Sequence, residues 1–399
     1  MNAAGDDGSL ARLAGSQAML FSVTSTLVAV NGLVGLALAP SAALATLPAS
    51  CVVLGTLAAT LPASLYMRHT GRRTGLVHGA LIGVVAAAAC ALAVRLGSFW
   101  LLCTGALAFG AFNAFGQYYR FAAADAVPAA ARGTAVSLVL AGGLVGGLIG
   151  PAASRLTIDA LEPRFAGAYL SLALFALAAA ALLRRGRLAE PPPEKASGPG
   201  RRFAEVAAQP RYRVAVLAGA VGYGVMSLVM TATPIAMHAC GHSYGDAAFV
   251  ISSHVVAMFA PSLATGVLLR RFGVLPVLLV GVLLNLGAVG VAVSGNQVRE
   301  FWWALVLLGV GWNFLYVGGT TLLADTYRPQ ERAIAQGANE LAVFLTQALA
   351  SLAAGGIVAA GGWREVNLAA LPALAAVAGA AAWLALKERL RAPAHAERG

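Results

Sequence analysis

Twelve apolar stretches, each of about 20 residues, recur along the chain between short polar clusters, and a helix of that length crosses the roughly 30 Å of a bilayer's hydrocarbon. They fall near residues 15–38, 43–66, 75–94, 99–121, 134–154, 167–184, 213–237, 247–269, 274–293, 301–323, 334–358 and 368–386. Lipid tails offer nothing to a backbone N–H or C=O, so stretches of this kind fold as helices that satisfy their own backbones. A chain that is 59% hydrophobic and 11% charged, with mean hydropathy +0.78, is not a soluble domain. The expected fold class is an all-α polytopic membrane protein. Its 46 glycines suit close helix contacts, above all G-G-L-V-G-G-L-I-G from Gly142 to Gly150.

The basic residues orient these helices. With both termini cytoplasmic, 22 of the 27 Lys and Arg fall on the cytoplasmic side, and only Arg95, Arg155, Arg164, Arg299 and Arg364 fall outside. The net charge of +11 then reports topology and contact with anionic membrane lipid, and no nucleic-acid partner is needed to explain it. The first span is expected to be a retained helix rather than a cleaved leader. Cys51, Cys90 and Cys103 fall inside spans as small buried thiols, and no C-x-x-C occurs.

A polar, Pro-rich connector divides the chain into an N-terminal six-helix bundle (1–184), a cytoplasmic linker (185–212) and a C-terminal six-helix bundle (213–399). The halves echo each other. Asn113, Asp125 and Arg132 recur as Asn313, Asp325 and Arg332 at an offset of 200, and Gly71 recurs as Gly273 at 202. Duplicated halves imply a central site exposed alternately to each side of the membrane.

Two neighbouring spans carry soft or borderline metal-binding side chains one turn apart. Met226 and Met230 lie in V-M-S-L-V-M, and His254 and Met258 in H-V-V-A-M, so each i,i+4 pair shares a helix face. Thioethers prefer Cu(I), imidazole accepts either copper oxidation state, and a set without carboxylate argues against Mg, Ca or Mn. Met237, His238, Cys240 and His242 follow within M-H-A-C-G-H at the outer mouth and are candidates for a relay into that site.

S-L-Y-M-R-H-T-G-R-R from Ser64 and G-V-L-L-R-R-F-G from Gly266 resemble the two copies of the loop signature of the major facilitator superfamily. Arg68 and Arg270 stand where that family usually has an acid, and Ser64 replaces its first glycine. Within the superfamily, Met226, Met230, His254 and Met258 resemble the M-x-x-x-M and H-x-x-x-M of the bacterial CcoA-like copper importers in identity, helix and spacing. The resemblance implies a monomeric secondary transporter in the bacterial inner membrane. It would import copper ions as substrate by alternating access, hand them to a cytoplasmic chaperone and so supply cytochrome oxidase assembly, with no resident cofactor.

Departure from the usual acidic latch makes Asp125 with Arg132, and Asp325 with Arg332, the expected gates of the inner face. Glu340, the one acid well inside a span, is a candidate for gating or coupling. No G-x-x-x-x-G-K-[ST] is present, so ATP hydrolysis is not expected, and nothing points to an enzyme. The alternative cargo is a small organic compound, a riboflavin-like vitamin or a drug, held by Asn113, Tyr118, Trp312, Asn313 and Tyr316.

Overall fold

A computed structural model describes residues 7–127, 132–185 and 200–391. Within them the chain is helical throughout. The first half runs α1 (Asp7–Leu38), α2 (Leu47–Thr70), α3 (Arg72–Leu96), α4 (Phe99–Gly116), α5 (Tyr119–Asp125), α6 (Arg132–Thr157) and α7 (Ala166–Arg184). The second runs α8 (Phe203–Ala207), α9 (Pro210–Ala239), α10 (Tyr244–Phe259), α11 (Ser262–Phe272), α12 (Val274–Ser294), α13 (Val298–Ala324), α14 (Arg332–Leu368) and α15 (Leu371–Arg391). Ten stretches are long and apolar enough to cross a membrane, and α10 with α11, bent by 47°, makes an eleventh. The last stretch, Ile334–Leu390, contains α14, which kinks at Gly362 (φ 77°), and α15, and at 57 residues it is long enough to cross twice, in keeping with the expected twelve. Pro261 lies at the α10–α11 bend, where a missing N–H and the ring interrupt the helix. Much of the expected connector, residues 186–199, lies outside the described residues.

Each half packs around its own apolar core, with Phe109, Phe112, Tyr119 and Tyr169 wholly buried in the first and Phe301 and Met237 in the second. Large apolar side chains such as Leu61, Leu156 and Leu174 are exposed on the perimeter, where lipid replaces water. The internal repeat is visible in detail. Gly71 and Gly273 both adopt φ 84° in the tight turns that join α2 to α3 and α11 to α12, a conformation that favours glycine. Asn113 donates to Thr56 Oγ1 at 3.1 Å, and Asn313 accepts from Thr265 Oγ1 at 2.7 Å, so an asparagine is tied to a threonine at corresponding places in the two bundles.

The G-G-L-V-G-G-L-I-G run brings α6 against the backbone of α1. A side chain at Gly142, Gly146 or Gly150 would run into the carbonyl oxygen of Ala14, Ala18 or Ser22 respectively. The two bundles meet at the outer end. Ser50 Oγ lies 2.9 Å from Ser351 Oγ, Ser154 Oγ lies 2.6 Å from Tyr244 Oη, and Pro234 packs over Gly32.

At the cytoplasmic end the described C-terminal part of the linker is clamped to the C-terminal bundle. Arg201 donates from Nε and Nη2 to the Glu331 carboxylate at 2.8 and 2.7 Å, and its backbone N–H adds a third bond at 2.7 Å. Arg201 Nη2 and Gln209 Nε2 also donate to the Thr326 carbonyl. Hydrogen bonds from Arg201 and from the Arg328 backbone hold the Glu331 carboxyl down at about 2.

Two outcomes follow from this packing. Gly146→Leu is expected to destabilise the folded protein in detergent by about 1–3 kcal/mol through overpacking, read as a lower midpoint in a thermal unfolding assay. Glu331→Gln is expected to raise the rate of tryptic cleavage at Arg201 and Arg202 at neutral pH. Because the folded pKa is depressed, the clamp contributes fully above the ordinary carboxylate range and fades as pH falls toward about 2, so wild type and variant should converge only in strong acid.

Candidate functional site: a cavity between the bundles

A cavity of about 300 Å³ lies between the two halves, walled by α1, α2, α4, α5 and α6 on one side and by α9, α10, α11, α13 and α14 on the other. Its polar character changes with depth. Asn31 lies seven residues before the end of α1 and His254 ten residues after the start of α10, roughly 10 and 15 Å from the outer ends of those helices. Glu340 lies eight residues into α14, roughly 12 Å from the cytoplasmic end.

The middle of the cavity is aromatic. Trp312 and Tyr316 stack at 5.0 Å with 14° between their planes, and Tyr223 meets both edge-on at 5.1 and 5.2 Å. Phe259 packs against Trp312 at 6.1 Å and reaches across the bundle interface to Phe21 at 5.1 Å. Trp312 and Tyr316 share a face of α13 because they are one turn apart, and Tyr223 of α9 completes the cluster.

Toward the cytoplasmic end the walls carry opposite charges. Arg120 of α5 donates from Nη1 to Tyr316 Oη at 3.5 Å and interacts electrostatically with Glu340 of α14 across the interface. Arg120 belongs by sequence to the cytoplasmic positive cluster, yet it lines the cavity. Gln117 and Tyr118 keep helical dihedrals between α4 and α5, so Arg120 shares the cavity-facing side of this stretch with Asn113 and Gln117 at i, i+4, i+7 spacing.

The structure brings Met226, Met230, His254 and Met258 onto this one cavity. Met226 is half-buried, Met230 and Met258 are 6% and 8% exposed, and His254 is wholly buried. His254 Nδ1 lies 2.7 Å from the Leu305 carbonyl oxygen. A carbonyl only accepts, so Nδ1 carries the proton and Nε2 is a bare acceptor. Among the described residues that nitrogen has no hydrogen-bond partner.

The expected outer relay is not assembled. Met237 is wholly buried in the C-terminal core, where it packs among side chains and cannot meet an incoming ion. His242 Nε2 is engaged by the Asn296 carbonyl at 2.6 Å and its ring packs on Phe301, while His238 and Cys240 are exposed. Among the described residues no three His, Cys, Asp or Glu side chains are grouped to hold a metal. Of the expected gates, the side chains of Asp125, Arg132 and Arg332 lie outside the described residues. Asp325 is exposed and lies 3.6 Å from Arg211, which also forms a paired contact with Glu388.

Of the residues expected for an organic cargo, Asn113, Trp312, Asn313 and Tyr316 line the cavity. Tyr118 does not, because its hydroxyl donates to the Thr60 carbonyl at 3.1 Å. Asn313 is fully used, accepting from Thr265 and donating to Met258 O and Ser262 Oγ, so it braces the bend between α10 and α11.

The profile of the Major Facilitator Superfamily matches residues 13–216 and 214–399. The chain is 40% identical over 366 residues to the riboflavin transporter RfnT of Brucella anthropi, covering 91% of this chain and 92% of that one. It is 31% identical to the uncharacterized MFS-type transporter YdeG of Bacillus subtilis, over 86% of this chain and 83% of that one. In fold it resembles a bacterial homologue of the human lysosomal transporter Spinster, solved inward-facing and unoccupied, with TM-score 0.73, 16% identity and coverage of 96% and 97%. A multi-pass membrane transporter rather than an enzyme, the chain belongs to the Major Facilitator Superfamily.

Proposed function

We propose that the chain carries a small, planar aromatic heterocycle of the riboflavin kind across the bacterial inner membrane by alternating access. The observation that carries this reading is the aromatic cluster of Tyr223, Trp312 and Tyr316 set in a cavity with amides and one charge of each sign. Flat π-systems stack on such walls, and each stacked ring contributes about 1–3 kcal/mol. A volume of about 300 Å³ falls at the lower end of the range of pockets that hold drug-sized ligands. The 40% identical relative named as a riboflavin transporter supports an organic cargo over a metal ion.

Copper import stays as a second reading on one observation: Met226, Met230, Met258 and His254 all line the same cavity, and the bare Nε2 of His254 is buried beside it. A soft ion would find ligands there. Both cargoes would use the same route, since the cavity is shared by the two bundles and their outer ends are in contact. In this proposal Arg120 and Glu340 form the gate at its cytoplasmic end, and movement of a proton on or off Glu340 accompanies transport.

Uptake of radiolabelled riboflavin into proteoliposomes is expected to saturate and to be indifferent to added copper. Trp312→Ala should weaken riboflavin affinity by about tenfold or more through lost stacking, while Met226→Leu should leave it near wild type. Copper uptake that disappears in Met226→Leu, with no riboflavin uptake in the wild type, would establish the metal reading instead. For the gate, Glu340→Gln is expected to abolish stimulation of uptake by an inward proton gradient while riboflavin–riboflavin exchange continues. Equal stimulation in wild type and variant would remove Glu340 from coupling.

A further inference from the structure

Among the described residues, four polar atoms of cavity-lining side chains are buried without a protein partner: Asn31 Nδ2, Arg120 Nε, His254 Nε2 and Trp312 Nε1. Three of them are donors by their chemistry. The amide of Asn31 is oriented by Tyr169, whose hydroxyl donates to Asn31 Oδ1 at 2.7 Å and leaves the NH2 facing away from that contact. A guanidinium and an indole N–H donate whatever surrounds them. His254 differs: with its Nδ1–H committed to Leu305 O, its Nε2 can only accept.

An unpartnered acceptor in an apolar surrounding is costly, and unlike the unpartnered Tyr119 hydroxyl in the N-terminal core, the acceptor of His254 belongs to a residue that lines the cavity. Cargo carbonyls could answer the three donors, but Nε2 needs an N–H or O–H from the cargo. An imide or lactam edge supplies both functions on adjacent atoms of one flat ring.

We infer that His254 Nε2 accepts the ring N–H of an imide or lactam edge on the cargo, while Asn31 Nδ2, on the opposite bundle, donates to the adjoining carbonyl. This assignment rests on the organic cargo proposed above. It makes His254 the residue that sets specificity for ring N–H, and it makes the cargo a bridge between α1 and α10 at the closed end of the cavity. Arg120 and Trp312 lie nearer the cytoplasmic end and address the remainder of the molecule.

The test is equilibrium binding of riboflavin and N3-methylriboflavin to the full chain in lipid nanodiscs, followed by quenching of flavin fluorescence. The two ligands differ in the ring N–H. Wild type is expected to bind riboflavin about tenfold or more tightly than the methylated analogue. His254→Phe should bind both flavins alike, at the affinity wild type shows for the analogue, and retained binding of the analogue reports that the variant is folded. His254→Gln should keep the preference, because an amide oxygen can accept the same N–H; His254→Leu replaces the Phe variant if that protein does not fold. Equal wild-type affinities for the two flavins, or a preference that survives in His254→Phe or His254→Leu, overturns the role of His254 and leaves riboflavin transport standing. Absence of riboflavin binding to the wild type overturns the organic-cargo proposal and this inference together.

Discussion

Burying a polar atom without a partner in hydrocarbon costs several kcal/mol, and this penalty shapes the scaffold and its cavity in opposite ways. Along the spans, hydroxyls fold back on their own helix. Ser22, Thr24 and Ser25 bond to carbonyls four residues earlier, as do Thr56 and Thr60. Asn113 and Asn313 are each bound to a threonine of a neighbouring helix. Among the described residues some buried polar atoms keep no partner, Thr26 Oγ1 and Tyr119 Oη within the N-terminal bundle among them, and four of these atoms belong to residues that line the cavity, where a cargo can reach.

The repeat gives each bundle similar internal bracing, and at the outer end the contact between bundles includes small groups. Serine hydroxyls, a tyrosine hydroxyl and a glycine face make up the outer junction. Such contacts are individually weak and can be exchanged for water without leaving a buried charge behind, which suits a junction that opens and closes. The glycine stripe between α6 and α1 is of another kind. There the helices touch backbone to backbone, so they move as one body within the N-terminal bundle.

Helix number, orientation and duplication were legible because they rest on length, hydropathy and charge, which are local properties. The convergence of Met226, Met230, His254 and Met258 on one space was also legible, since i,i+4 spacing fixes a helix face and adjacent spans share a cavity wall. Arg120 was hidden by its assignment to the cytoplasmic basic cluster, although it continues the Asn113–Gln117 face at helical spacing into the cavity. The tautomer of His254 depends on Leu305, 51 residues away, and the aromatic cluster unites α9 with α13. The placement of the outer His/Cys motif depends on a similar long-range contact: Asn296, on a different loop, engages His242. Spacing within a segment carries no information about such partners.

Arg120 and Glu340 give the pore wall one fixed positive and one titratable group. When both are ionised, the empty carrier reorients with no net movable charge from this pair, and the electric field across the membrane does no work on it. With the carboxyl neutral, the same motion displaces the guanidinium alone, and the field contributes up to about 2.3 kcal/mol per 100 mV for a full traverse. Under the coupling proposed for Glu340, the current that accompanies the return stroke reads out, in electrical units, whether a proton rides on that carboxyl.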